Sequence, residues 1–210
     1  MKIIDISMKI EPNMTVYKNK SEKQPAFNVL QNIEDNHPHE SSIAIGMHTG
    51  THMDAPLHMI KGGKTIDQMD LSKLIAPCKV FDYTDIDGCI TKEDLKIKDI
   101  NQGDFIILKT KNSLVDKFDF NFVFLEKSGA EYLRDKRING VGIDALGIER
   151  SQPDHETHIA LLGSDIAILE GLMLKNVSEG EYFLIAAPIN ISNAEAAPVR
   201  ALLLDNNPFF

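Results

Sequence analysis

Short apolar runs separated by turn residues dominate the pattern of this chain. Runs of four to six residues rich in Ile, Val, Leu or Phe, bounded by Gly, Asn, Asp or Pro, are typical of strands. They predict strands at 2–7, 42–47, 78–81, 105–109, 140–143, 166–169 and 182–186.

Helical periodicity is rarer. The best candidates are 67–74, 91–96, 127–136 and a turn or short helix at 159–162. Thr91 and Asp94 have the spacing of a capping box, which favours a helix start at that point. The pattern as a whole predicts a mixed α/β fold with a central β-sheet or barrel-like β core flanked by helices.

Length and charge narrow the possible classes of protein. The chain has 210 residues, 43% of them hydrophobic, and no linker or shift in composition divides it, so we expect one domain spanning 1–210. A formal charge of -9 without a clustered Lys/Arg face disfavours a nucleic-acid partner. The absence of an apolar stretch of about 20 residues, and Asp5 where a signal peptide needs apolar residues, predict a cytoplasmic protein without a membrane partner.

The densest chemistry lies in the sequence HTGTHMDAPLH, which begins at His48. Its three histidines, His48, His52 and His58, and the carboxylate of Asp54 fall within eleven residues of a chain with only seven histidines. Imidazole and carboxylate donors suit Zn²⁺ and, with more carboxylate, Mn²⁺ or Fe²⁺. Glycine and proline inside the run argue against a helix, so we expect the strand at 42–47 to lead into a tight loop that gathers the ligands.

The same run resembles the signature of the metal-dependent cyclase family, which includes bacterial kynurenine formamidases and enzymes similar to isatin hydrolase. Further similarity extends along nearly the whole chain, at 4–7, 140–144, 158–162, 168–170 and 197–200. The resemblance implies the cyclase-family fold, a hydrolase activity and one or two divalent ions per chain. It also implies a homodimer or homotetramer, since such assemblies are common in the family.

The resemblance assigns roles position by position. It implies that His48, His52 and Asp54 bind one metal ion and that Asp54 bridges to a second ion held by His158 and Glu170. It implies that His58 is the catalytic acid/base. His155 is a rival for the later histidine, and His158 is preferred because an apolar run follows it directly. Tyr17 falls where relatives carry an aromatic residue near the substrate, although a core or surface role is slightly favoured. Asp144 ends a predicted strand. Capping of the next turn accounts for an aspartate there at least as well as a catalytic role does, so Asp144 is left outside the catalytic set.

The ligand chemistry itself favours hydrolysis. Divalent ions held by such a set lower the pKa of bound water to about 7 and polarise a carbonyl group, so no serine nucleophile is needed. Consistently, the sequence has no Gly-x-Ser-x-Gly elbow. The expected activity is metal-dependent cleavage of an amide-type C–N bond, in an aryl formamide or a cyclic amide, by a metal-bound hydroxide. The alternatives are a hydrolase or lyase acting on a lactone or another small carbonyl compound, and a non-catalytic metal-binding relative. The loop 144–153 differs from the Ser/Pro-rich loop of kynurenine formamidases and leaves the substrate open.

Overall fold

The structure, a computed structural model, describes residues 2–115 and 117–205. Three helices occur in this part of the chain: α1 (Lys92–Lys96), α2 (Lys127–Lys136) and α3 (Glu156–Leu162). The strands are β1 (Ile3–Asp5), β2 (Ala26–Gln31), β3 (Glu40–Ala44), β4 (His52–Asp54), β5 (Ile75–Tyr83), β6 (Cys89–Ile90), β7 (Phe105–Thr110), β8 (Phe124–Leu125), β9 (Gly140–Ile143), β10 (Ala167–Glu170), β11 (Gly180–Ile185), β12 (Ala196–Pro198) and β13 (Leu202–Leu204).

Nine of these strands form one large mixed sheet, in the order β1-β13-β11-β5-β7-β9-β10-β4-β12. Its centre, β5-β7-β9-β10, is parallel, and antiparallel strands extend it on both sides. The expected mixed α/β fold with a central sheet is therefore confirmed. Strands in the middle of a parallel sheet are covered on both faces, which explains why their sequences are continuously apolar.

Two hydrophobic cores cover the two faces of this sheet. Along β7, Phe105 and Ile107 belong to one core, whereas Ile106 and Leu108 belong to the other. The second core also contains Leu133 of α2 and the end of α3, so the helices pack on that face. Because side chains alternate along a strand, His52 and Asp54 project opposite to Met53, which lies in the first core. The candidate ligands thus lie on the face that carries the helices.

Two predicted elements are wrong in detail. The helix expected at 67–74 is instead a pair of 3₁₀ turns, Ile66–Gln68 and Leu71–Lys73. Thr65 and Gln68 form a capping box for the first turn, and Asp70 accepts a hydrogen bond from the backbone of Ser72 to begin the second. Each cap starts its own short turn. Because the backbone is extended at Met69, between the two caps, the turns do not join into one helix.

The strand expected at 42–47 is also displaced. The strand found there is β3, which ends at Ala44; among the described residues it pairs only with β2, in a hairpin outside the large sheet. The central ligands do not lie in a loop, because His52–Asp54 forms β4 and pairs with β10 on one side and β12 on the other. Hydrogen bonding to a strand on each side stabilises β4 although it has only three residues. The same pairing fixes the direction of its side chains.

The other predicted helices and strands are present; 127–136 and 140–143 have the predicted bounds, and the rest have shifted ends. The helix at 127–136 is α2, the capped segment after Thr91 is α1, and the turn or helix at 159–162 begins three residues earlier as α3. In the described part of the chain, no helix is both long and apolar enough to cross a bilayer.

Candidate active site

Strands β4 and β10 bring together the first two candidate ligands. His52 and Glu170 are direct partners in the antiparallel register, and Nε2 of His52 lies 3.3 Å from Oε2 of Glu170. Both side chains are almost completely buried. The sheet register therefore joins two positions that are 118 residues apart in sequence.

Asp54 lies at the centre of the cluster. Its Oδ1 is 2.9 Å from Nδ1 of His48 and 3.5 Å from Nε2 of His52, whereas its Oδ2 is 3.7 Å from Nε2 of His158. The carboxylate thus faces histidines from the loop before β4, from β4 itself and from α3. This position is the one that a carboxylate shared between two ions would need.

Helix α3 supplies His158 from its buried side. Its Nε2 lies 3.4 Å from Oε1 of Glu170, on the side of the ring that also faces Asp54. On the other side, Nδ1 lies 3.1 Å from Oε1 of Glu149. The ring therefore lies between the carboxylates of Asp54 and Glu170 on one side and that of Glu149 on the other.

A local turn fixes the orientation of His52. Gly50 has a positive φ of 64°, and its carbonyl oxygen lies 2.9 Å from Nδ1 of His52. A ring nitrogen beside a carbonyl oxygen carries the proton, so Nε2 keeps its lone pair in the neutral imidazole and faces the two carboxylates. Metal-binding histidines usually have this arrangement. Glycine suits the position because its backbone reaches positive φ without strain.

The donor set fits a divalent ion. Buried polar atoms normally have hydrogen-bond partners. Nε2 of His52 and both carboxylate oxygens of Asp54 nevertheless make no bond with hydrogen-bond geometry among the described residues, although the imidazole nitrogens lie 2.9–3.7 Å from the Asp54 oxygens. His52, Asp54 and Glu170 each offer one donor atom within 4.8 Å of the others, and so do His48, Asp54 and His58. A cation bound between these atoms would satisfy the unpaired oxygens and the imidazole lone pair together.

Electrostatics keep the carboxylates ionised. Burial alone would raise the pKa of Asp54, but His158 and His48 hold that pKa well below its usual range. Burial and Asp54 raise the pKa of Glu170, yet His158 and His52 outweigh them and lower it to about 2. In turn, the carboxylates of Glu170 and Asp54 overcome burial and raise the pKa of His52 to about 9. Two carboxylates that stay charged at neutral pH are suited to a cation.

His58 follows the cluster on a 3₁₀ turn that begins at Pro56. Its ring centre lies 4.3 Å from that of His48 and 5.6 Å from that of His158. Burial is the largest influence on this side chain and lowers its pKa. A neutral imidazole at this place can accept a proton. One of its ring nitrogens also lies within 4.8 Å of donor atoms of His48 and Asp54, which is close enough for His58 to be a metal ligand instead.

The cluster opens into a cavity of about 380 Å³. Aromatic side chains from two segments line it, namely Tyr17, Phe118, Phe120 and Phe122. The ring of Tyr17 packs edge-on against Phe118, 5.2 Å between centres, in the wall of this cavity, and contact of Tyr17 with a substrate stays a prediction. Arg150 adds a guanidinium to the same wall, 5.1 Å from the ring of Phe124.

The structure brings together all six side chains that the sequence singled out: His48, His52, Asp54, His58, His158 and Glu170. The rival His155 is 63% exposed, its Nδ1 contacts Glu149 at 2.6 Å, and it forms another possible metal-binding group with Glu149 and His158, so the preference for His158 stays a prediction. Asp144 does not cap the turn that follows it; its carboxylate holds a distant turn at 110–113. Its oxygens accept hydrogen bonds from the backbone and hydroxyl groups of Thr110 and Ser113.

Glu149 is the important residue that the sequence did not reveal. Only 6% of it is exposed, and it contacts both His155 and His158. A lone glutamate after a glycine and an isoleucine carries no signal by itself. Its spacing of nine residues from His158 has meaning only once the loop folds back onto the start of α3.

Comparison with known proteins agrees with this architecture. The profile of the putative cyclase family matches residues 4–150. A kynurenine formamidase from Salinibacter ruber is 32% identical over 208 residues, with 98% of each chain covered. A structure described as a predicted metal-dependent hydrolase from Bacillus stearothermophilus is 49% identical, with 98% of each chain covered and a TM-score of 0.91.

The fold extends to more distant proteins. Isatin hydrolase A from Labrenzia aggregata, only 21% identical, superposes with a TM-score of 0.86 over 98% of this chain and 94% of its own. The family profile covers more than half of the chain, and the formamidase relative spans nearly all of it. On this evidence, the chain belongs to the putative cyclase family.

Proposed function

We propose that the protein cleaves an amide-type C–N bond, in an aryl formamide or a cyclic amide, with the help of divalent metal. The observation that carries the proposal is the convergence of three buried carboxylate and imidazole positions, His52, Asp54 and Glu170, at one end of a cavity lined by aromatic rings. Membership of the family makes the chain an enzyme of the metal-dependent amide hydrolase class.

In this proposal, His48, His52 and Asp54 hold one ion, and Asp54, His158 and Glu170 hold a second. The unpaired atoms of His52 and Asp54 support the assignment, because a cation would satisfy both. Zinc is the first choice for such nitrogen and oxygen donors, with manganese or iron as alternatives. When bound, a divalent ion supplies an activated water at neutral pH and polarises the substrate carbonyl.

The protein's own groups complete the reaction. His58 is proposed to move the proton that the leaving nitrogen needs, because its ring stands beside His48 and His158 and burial lowers its pKa. A protonated leaving group breaks the C–N bond with a smaller barrier, and a positioned histidine supplies this help. The aromatic wall holds a planar substrate and limits access of bulk water.

The substrate class follows from the cavity and from the relatives. Aromatic rings stack well on planar aryl groups, which favours an aryl amide over a small aliphatic one. The kynurenine formamidase relative is named for such a substrate, whereas the isatin hydrolases share only the fold at their level of identity. A lactone or another small carbonyl compound remains the second candidate, since the same donor set polarises any carbonyl.

We further propose that residues 1–210 work as one hydrolase domain in the cytoplasm and that the protein assembles as a homodimer or homotetramer. The assembly is supported by the β2–β3 hairpin, whose strand residues are all exposed, Phe27 and Ile43 among them. An isolated two-stranded hairpin is only marginally stable in water, so a second copy would stabilise it by covering this face. Small carbonyl compounds are the only other partner class proposed, without nucleic acid or membrane.

The proposal is tested by adding zinc or manganese to metal-depleted protein and measuring hydrolysis of aryl formamides, cyclic amides and lactones. We expect the metal to restore activity on at least one amide class and a chelator to remove it. Turnover of lactones alone would favour the second candidate. Equal rates with and without metal, or no hydrolysis of any of the three classes, would contradict the proposal.

A further inference from the structure

The side chain of Glu149 is anchored twice at the start of α3. Its Oε2 accepts hydrogen bonds from the backbone N–H groups of Thr157, at 3.0 Å, and His158, at 3.3 Å. These N–H groups lie in the first turn of the helix, where no partner exists within the helix itself. The carboxylate is therefore fixed to the same helical turn that carries His158.

The other oxygen of Glu149 faces two imidazoles. Oε1 lies 2.6 Å from Nδ1 of His155 and 3.1 Å from Nδ1 of His158, and the second contact is within ion-pair distance but lacks hydrogen-bond geometry. His158 is buried, whereas His155 projects mostly into solvent. The negative charge of this buried carboxylate is thus placed on the side of the His158 ring that points away from Asp54 and Glu170.

We infer that Glu149 is a positioning residue for metal binding, which holds the His158 ring with Nε2 directed at Asp54 and Glu170. The inference rests on the proposed metal site. A carboxylate beside Nδ1 favours the tautomer with the proton on that nitrogen, so the lone pair lies on Nε2. The same contact strengthens Nε2 as a donor, and loss of such a partner typically weakens metal binding by about 10- to 100-fold.

A purely structural role for Glu149 makes a different prediction. If the carboxylate only caps α3, its substitution should lower the stability of the metal-free protein and leave the affinity of the folded protein for metal unchanged. Glu149→Gln separates the two roles, because the amide oxygen still accepts from Thr157 and His158 backbone groups but the negative charge beside Nδ1 is lost. Glu149→Leu removes both functions.

The test is a titration of the metal-depleted full chain with zinc. His155→Ala is the matched control, because it removes the other imidazole that contacts Glu149 and leaves His158 in place. Thermal unfolding of each metal-free variant measures folding separately. We expect Glu149→Gln to keep a melting temperature close to that of the original protein but to bind zinc about 10- to 100-fold more weakly. Glu149→Leu should bind at least as weakly, and His155→Ala should bind zinc normally.

Three results would overturn the inference. Normal zinc affinity in both Glu149 variants would leave only the capping role. A lower number of ions bound, with unchanged affinity for the remainder, would make Glu149 a ligand, in the group that it forms with His155 and His158. A loss in His155→Ala as large as in Glu149→Gln would assign the effect to His155. Failure of the original protein to bind zinc would instead contradict the proposed function.

Discussion

His52 and Glu170 face each other across the antiparallel pair β4–β10, with Nε2 and Oε2 3.3 Å apart. A histidine of the HTGTHMDAPLH run and a glutamate at the end of a distant strand become neighbours through the sheet register alone. A shift of one residue in that register would turn one of them to the opposite face of the sheet. The candidate metal site therefore depends on backbone pairing as much as on the ligands.

Substitution of Asp54 should remove metal and activity together. Asp54→Ala deletes the carboxylate that lies within 4 Å of His48, His52 and His158. Metal analysis and rates measured on the same purified sample test this expectation. Asp144→Asn is the matched control, a buried aspartate that accepts hydrogen bonds from Thr110 and Ser113; this variant should lose about 1–3 kcal/mol of stability but bind metal normally. Full metal content in Asp54→Ala would contradict the shared-carboxylate assignment.

Replacement of His58 separates proton transfer from metal binding. If His58 is the general acid/base, His58→Ala should retain the metal and lower kcat by about 10² to 10⁴. If it is a ligand, in the group with His48 and Asp54, the metal content should fall as well. A variant with full metal and an unchanged rate would remove His58 from the mechanism.

Zinc affinity should rise with pH. In the metal-free protein, Glu170 and Asp54 overcome the effect of burial and raise the pKa of His52 from 6.5 to about 9. Zinc needs the neutral imidazole, so protons compete with it up to that pH and binding releases them. The apparent affinity should therefore increase between about pH 6 and pH 9, and His52→Gln should flatten the increase. An affinity independent of pH over this range would show that His52 gives up no proton.

The same shift predicts how the metal-free protein responds to pH. The pKa of His52 is raised on folding, so its contribution to stability is complete below about pH 6.5 and declines as the pH rises through about 9. Thermal unfolding in the presence of a chelator should show a falling melting temperature across this window. The decline should be smaller in His52→Gln, and an equal decline in both proteins would assign it to other groups.

Arg150 offers a test of substrate charge. One guanidinium nitrogen is buried without a hydrogen-bond partner among the described residues, and the side chain lines the aromatic cavity. If the substrate carries a carboxylate, Arg150→Leu should raise KM by about 10-fold or more, the value of a charged hydrogen bond, while Arg150→Lys should lose less. For an uncharged cyclic amide the KM should change little. Equal effects on charged and uncharged substrates would exclude a charge-specific role.

The β2–β3 hairpin provides a test of assembly. Phe27 and Ile43 are cross-strand partners on one face of the hairpin, and both are about half exposed. Phe27→Glu together with Ile43→Lys should convert a dimer or tetramer into monomers, measured by light scattering. The melting temperature should fall as well, because the hairpin loses the second copy that stabilises it. An unchanged molar mass would locate the interface elsewhere.

Several features of the protein were determined by local sequence. The apolar runs of β7 and β9 identify buried strands because both faces of a central parallel strand exclude water. The capping pair Thr91 and Asp94 marks the start of α1, because the hydrogen bonds of a capping box involve only the four consecutive positions 91–94. The concentration of imidazole and carboxylate groups between His48 and His58 indicates metal chemistry before any folding is considered.

Only the tertiary structure decided how these parts combine. Glu149 becomes a neighbour of His158 when its loop returns to α3, and Tyr17 joins the cavity wall by contact with Phe118. The short strand His52–Asp54 exists because β10 and β12 pair with it on both sides. Such contacts depend on pairing between distant segments, whose free energy no local pattern contains. The sequence thus determined which residue types were available for chemistry, and the register and loop packing decided which of them meet.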